Sequence, residues 1–130
     1  MGLADADHEE YAPATSCLLI SQLTCSLVGQ TQTIQLLSGS RAQQIYRAAE
    51  IKTQYFCNYG LNPAFREHLE QSDLAITGIG AEGDVRVVEL PQHRFFLATL
   101  FLPQWGSTVE QPDPLIVAYL QAVVDKPAQR

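Results

Sequence analysis

The chain has 130 residues, enough for one domain with a core that removes roughly two-thirds of the unfolded surface from water. Hydrophobic residues make up 46% and charged residues 17%, a globular composition and not a disordered one. Eight Lys and Arg stand against fourteen Asp and Glu, a net charge of −6, which excludes a dominant basic surface for nucleic acid or an anionic membrane.

The first fifteen residues are polar, with acids clustered in DADHEE, and read as a loop or frayed lead-in. Asp5, Asp7, His8, Glu9 and Glu10 lack the turn glycine and ligand order of a hard-cation loop, so a solvated acidic surface is the better reading. CLLISQL (Cys17–Leu23) is a short strand. After a turn at Gly29, TQTIQLL (Thr31–Leu37) alternates polar and apolar residues as a half-buried strand does. SGSRAQQIY places Ala42, Ile45 and Tyr46 at helical spacing behind Ser38 or Ser40 as cap.

EIKTQYFCNY (Glu50–Tyr59), rich in β-branched and aromatic residues, predicts one strand, and PAFREHLEQ a short helix with Pro63 in its first turn. LAITGIG and DVRVVEL flank Ala81-Glu82-Gly83 and predict a hairpin. FFLATLFL (Phe95–Leu102) is almost continuously apolar, which predicts a central strand covered on both faces. DPLIVAYLQAVV (Asp113–Val124) predicts a terminal helix docked on the sheet, with Pro114 near its start. The sum is one α/β domain, without repeats.

Cys17, Cys25 and Cys57 are odd in number and form no CxxC, and the acidic N-terminus has no apolar signal run. Reduced thiols and a cytoplasmic location are expected. No stretch approaches the roughly eighteen apolar residues of a membrane span.

Four features in fixed order now bring a family into view. They are Tyr-x-x-Asn-Pro at Tyr59–Pro63, the glycine hairpin, HxFF at His93–Phe96 and Phe-x-Pro at Phe101–Pro103. Together with DPLIVAYLQAV they resemble the C-terminal half of a class I glutamine amidotransferase domain, nearest to that of CTP synthase and CTP-synthase-like proteins. The likeness runs from about Gly2 to Val124. It implies part of a flavodoxin-like α/β sheet with a β-hairpin and a closing C-terminal helix.

Such domains hydrolyse glutamine with a cysteine on a strand-to-helix elbow and a His-x-Glu pair after a buried strand. The thiolate attacks the amide, the imidazole shuttles the proton and the carboxylate orients the imidazole. The resemblance sets Leu102 at the histidine position and Gln104 at the glutamate position. Leucine has no proton to give, and glutamine cannot neutralise an imidazolium. Asn58 stands where the family's glutamine-binding arginine would, and an amide cannot pair bidentately with a carboxylate. The nucleophile elbow is implied to lie upstream of Met1.

Cys57 lies near the implied active-site edge with no evident base, so a buried small hydrophobe outweighs a nucleophile. Cys25 reads as a turn or packing residue. His93 reads as a surface or capping residue, His68 as part of a solvated helix face, and Trp105 as a lid or interface anchor.

The expected function is a catalytically inactive amidotransferase-like module with a structural, regulatory or small-ligand-binding role. Tyr55, Cys57, Asn58, Tyr59 and Gln104 are its candidate ligand contacts, and neutral amides there suit an uncharged or weakly charged polar molecule. No cofactor or metal is implied. Missing first strands would bare apolar area and a sheet edge, so a homo-oligomer or a partner subunit completing the sheet is expected. The alternative is part of a functional glutamine-hydrolysing enzyme whose nucleophile comes from upstream or from another chain.

Overall fold

A computed structural model describes residues 2–125. The strands are β1 (Asp7–His8), β2 (Leu18–Gln22), β3 (Thr31–Leu36), β4 (Glu50–Gln54), β5 (Tyr59–Leu61), β6 (Ala75–Ile79), β7 (Val85–Glu89) and β8 (Leu97–Thr99). The helices are α1 (Arg41–Tyr46), α2 (Arg66–Glu70) and α3 (Pro114–Val124), with 3₁₀ turns at Pro63–Phe65 and Pro103–Trp105. Two sheets form: three strands in the order β1-β2-β5, and five in the order β4-β3-β6-β7-β8. The larger sheet is antiparallel at every pairing, and β1 pairs with β2 in parallel.

Alternation along β3 turns Ile34 and Leu36 inward, with Ile34 facing Ile51 across the ladder. They join Leu27, Ala42, Tyr55, Val87 and Phe101 in the core. At Gly78 the chain irregularly pairs with β7, and a Cβ there would lie 2.6 Å from Val87 Cγ2. Only glycine allows so close an approach. Gly83 adopts φ 84° in the hairpin turn and supplies the left-handed residue that turn needs.

Helix α1 starts as expected at Ser40, whose Oγ accepts from the Gln43 amide. The buried Glu89 carboxylate accepts from the Arg41 and Ala42 amides at 3.1 and 3.2 Å, a negative charge where the helix leaves N–H groups unpaired. Asp113 caps α3 through the Leu115 amide and also accepts from the Tyr46 hydroxyl, which ties the two helices together.

Four expectations change. The polar lead-in is partly structured, because Asp7 and His8 add a strand beside Leu18 and Ile20. The predicted Glu50–Tyr59 strand breaks after Gln54. There the Tyr55 backbone bonds Gln30 and Gly29, and the Cys57 and Asn58 carbonyls accept from Leu27 and Leu23, carrying the chain to the other sheet. FFLATLFL is a three-residue strand at the edge of the sheet, with Phe96 and Ala98 exposed and only Phe101 in the core. Its apolar run feeds the core through Leu97 in the strand and Leu100 and Phe101 beyond its end, so apolar continuity misread an edge as a centre. Finally, α3 packs on α1 and on the Pro103–Trp105 turn, with Tyr119 against Phe95 at 5.6 Å, while Leu115 alone on it is buried.

Candidate functional site

Strand β8 ends at Thr99, whose hydroxyl donates to the Phe101 carbonyl. Phe101 drops into the core, and Leu102 and Gln104 emerge on the following 3₁₀ turn, both exposed. Pro103 sets the turn's first residue. Trp105 packs on Phe56 with the rings tilted, at 4.2 Å between centroids. That contact brings Trp105 of the turn against Phe56 of the Tyr55–Tyr59 segment.

The sequence-predicted contacts are not equivalent. Tyr55 has no exposed surface, so it is not the ligand contact expected of it; it is a core residue beneath Arg86. Burial raises its phenol above the ordinary tyrosine range, with Thr53 and Arg86 acting the other way. Asn58 is exposed, and Cys57 and Tyr59 are half-buried. The Cys57 sulfur lies 3.2 Å from the Tyr59 carbonyl and 3.3 Å from its amide, a closed local loop of hydrogen bonds.

His8, read in the sequence as part of a solvated acidic surface, is half-buried with its ring on Tyr59 at 5.0 Å, so an imidazole and the Cys57 thiol flank one tyrosine. Its Nδ1 accepts from the Glu10 amide. No hydrogen bond joins a histidine to a cysteine among the described residues. His93 lies before β8 and the Leu102 turn after it, at opposite ends of that strand. His68 packs on Phe65. Among the described residues, no group of three or more His, Cys, Asp or Glu could hold a metal ion, and no helix is long and apolar enough to cross a membrane.

A cleft of about 740 Å³ opens between the two sheets, where Gln22 and Leu61 face Gln32, Thr33 and Arg86. A second, of about 530 Å³, lies where β3, β6 and α2 meet. None of Tyr55, Cys57, Asn58, Tyr59, Leu102 and Gln104 lines either. Arg86 went unnoticed in the sequence; a lone arginine inside the apolar run DVRVVEL was the available signal.

No family model matches the chain. The CTP synthase of Saccharolobus solfataricus is 31% identical over 132 residues, covering 95% of this chain and 25% of its own length. That of Geobacter sulfurreducens is 33% identical over 139 residues, 99% of this chain and 26% of its own. A solved glutaminase domain of Trypanosoma brucei CTPS, with bound acivicin, superposes with a TM-score of 0.87 at 23% identity, over 98% of this chain and 54% of that one. The chain is homologous to a part of CTP synthase and has the fold of that solved glutaminase domain. It spans about a quarter of the curated CTP synthases it matches and about half of the solved glutaminase domain. A GMP synthase component from Thermoplasma acidophilum shares the fold more distantly, with a TM-score of 0.53 at 13% identity, over 82% of this chain and 52% of that one.

Core positions such as Ile34 and Val87 are apolar and enclosed, and the turn after β8 is exposed and free of ionisable groups from Phe101 to Val109.

Proposed function

We propose that this chain is a catalytically inactive relative of the CTP synthase glutaminase domain, acting in the cytoplasm as a structural or regulatory module. The carrying observation is the exposed turn after β8, where Leu102 and Gln104 stand at the positions to which the resemblance assigns an imidazole and a carboxylate. Neither side chain can accept and return a proton, so the route through a thiolate and an imidazole has no base there. In a ligand-binding version of this role, Asn58 and Gln104 supply exposed neutral amides beside Cys57 and Tyr59.

The module works in an assembly, with a second copy or a separate partner chain. Val117, Tyr119, Leu120, Val123 and Val124 on α3 are 41–95% exposed together with Val109, an apolar surface of the kind that interfaces cover. Burying one such side chain contributes about 1.5–3 kcal/mol. In the second reading the chain is part of a functional glutamine-hydrolysing enzyme whose nucleophile segment is supplied upstream or by another chain; that the match covers 54% of the solved domain supports it.

Two measurements on the purified full chain test the proposal: its mass in solution and its release of ammonia from glutamine. A mass above that of one chain and no glutamine turnover are expected. A stable monomer would remove the assembly, and turnover by the chain alone would remove the inactive assignment.

A further inference from the structure

The cleft between the sheets holds a group that neither the expected active site nor the packing uses fully. Arg86 on β7 is 5% exposed and lies at the cleft's wall. A guanidinium offers five N–H donors. Here Nη2 reaches Asp84 Oδ2 at 3.3 Å, long for a charge-assisted bond, and Nε is buried without a partner. The guanidinium carbon lies 5.3 Å from the centroid of the Tyr55 ring, so an aromatic face takes part of the cation's surroundings. A buried cation compensated by one long contact and an aromatic face is poorly paired, and a planar acceptor meeting the guanidinium at the cleft wall would offset that.

The rest of the cleft narrows the ligand's chemistry. Arg66, the other cation in the wall, is already engaged with Glu70 at 2.9 Å and with the Gly83 carbonyl at 2.6 Å. Glu82 and Asp84 place two exposed carboxylates at the same opening. They repel a polyanion such as a phosphate ester and attract a cation. Gln32 and Thr33 add uncharged hydrogen-bonding groups. We propose that this cleft binds a free amino acid, its carboxylate on Arg86 and its ammonium toward Glu82 and Asp84. The site shares no lining residue with the Leu102–Gln104 turn and does not depend on whether that turn is catalytically inactive.

The test titrates the full chain with each of the twenty free L-amino acids at about 10 mM, by calorimetry and by thermal shift. At least one is expected to bind saturably. Its carboxamide, its N-acetyl derivative, acetate and inorganic phosphate are each expected to bind about tenfold or more weakly, because each lacks one of the two charges or carries the wrong one. Arg86→Lys removes the bidentate fork and should weaken binding by about tenfold. Since Arg86 is buried, Glu82→Gln at the exposed rim serves as the second variant, weakening the amino acid while leaving acetate unchanged. Absence of binding by all twenty overturns the proposal, as does phosphate or acetate binding as tightly as the best amino acid. Glutamine turnover is read in a separate assay, so failure of this site and failure of the inactive-module reading remain distinguishable.

Discussion

The two ends of α1 face unlike surroundings. Toward its start, Glu89 receives two helix amides, and the nearby sheet encloses Ile34, Leu36 and Val87 almost completely. Toward its end, Tyr46 meets Asp113 and then α3, whose apolar side chains stand mostly in solvent. The first region is a closed interior; the second leaves its apolar side chains uncovered. The difference teaches that the core is closed by the chain's own residues, while the outer helix leaves apolar side chains exposed, the surface that the proposed assembly would use.

The widest expected contrast is between core and helix. Ile34→Ala should cost about 2–5 kcal/mol in chemical denaturation, because a closed β-sheet core cannot collapse around the void. Leu120→Ala should cost under about 0.5 kcal/mol in a chain held dilute enough to be monomeric, since that side chain is 55% exposed. Equal losses would break the contrast by showing α3 to be covered within one chain.

Next in size is the α1 start. Glu89→Ala leaves two amides without their acceptor and should cost about 1–3 kcal/mol, read from the denaturation midpoint. Glu89→Gln keeps an acceptor and should recover part of the loss.

The α1–α3 junction is expected to be weaker and dependent on pH. Tyr46→Phe removes its hydrogen bond to Asp113, at a cost of about 1 kcal/mol. Burial first, and then Asp113, hold the Tyr46 phenol well above the ordinary tyrosine range. The folded chain therefore keeps a proton that the unfolded chain releases at its ordinary value of about 10. The contribution is whole below that pH and is lost as pH rises beyond it, because the folded state then binds more protons. Stability measured from pH 8 to 11 should fall more steeply in the native chain than in Tyr46→Phe. Parallel slopes would show that Tyr46 is not the responsible group.

The smallest stability change belongs to the exposed turn. Leu102→His combined with Gln104→Glu should stay within about 0.5 kcal/mol of the native chain in thermal denaturation, since both sites face solvent. A large loss would mean that the present leucine and glutamine are structural requirements of the turn.

Much of the fold could be read in the sequence where local signals were self-sufficient. Alternation in TQTIQL, Ser40 as a cap, Pro63 and Pro114 in first turns and the glycine of the hairpin each act within a few residues. What failed depended on distant partners. The break after Gln54 arises because Gln30 and Leu27 claim the backbone of the next residues, and β8 is an edge because no strand pairs on its other side among the described residues. The site divides in the same way. Chain order placed Leu102 and Gln104 on the exposed turn after β8, yet Trp105's contact with Phe56, Tyr55's burial and His8's approach to Tyr59 follow from three-dimensional packing. The Arg86 cleft lies between two sheets whose separation no local pattern announces.

Ammonia release from glutamine by the native full chain, compared with Cys57→Ala, tests the central claim most directly. A chain whose β8 turn carries no group able to exchange a proton should release none above the buffer rate, with or without the Cys57 thiol. Steady turnover that disappears in Cys57→Ala would contradict the account and place working chemistry beside Tyr59.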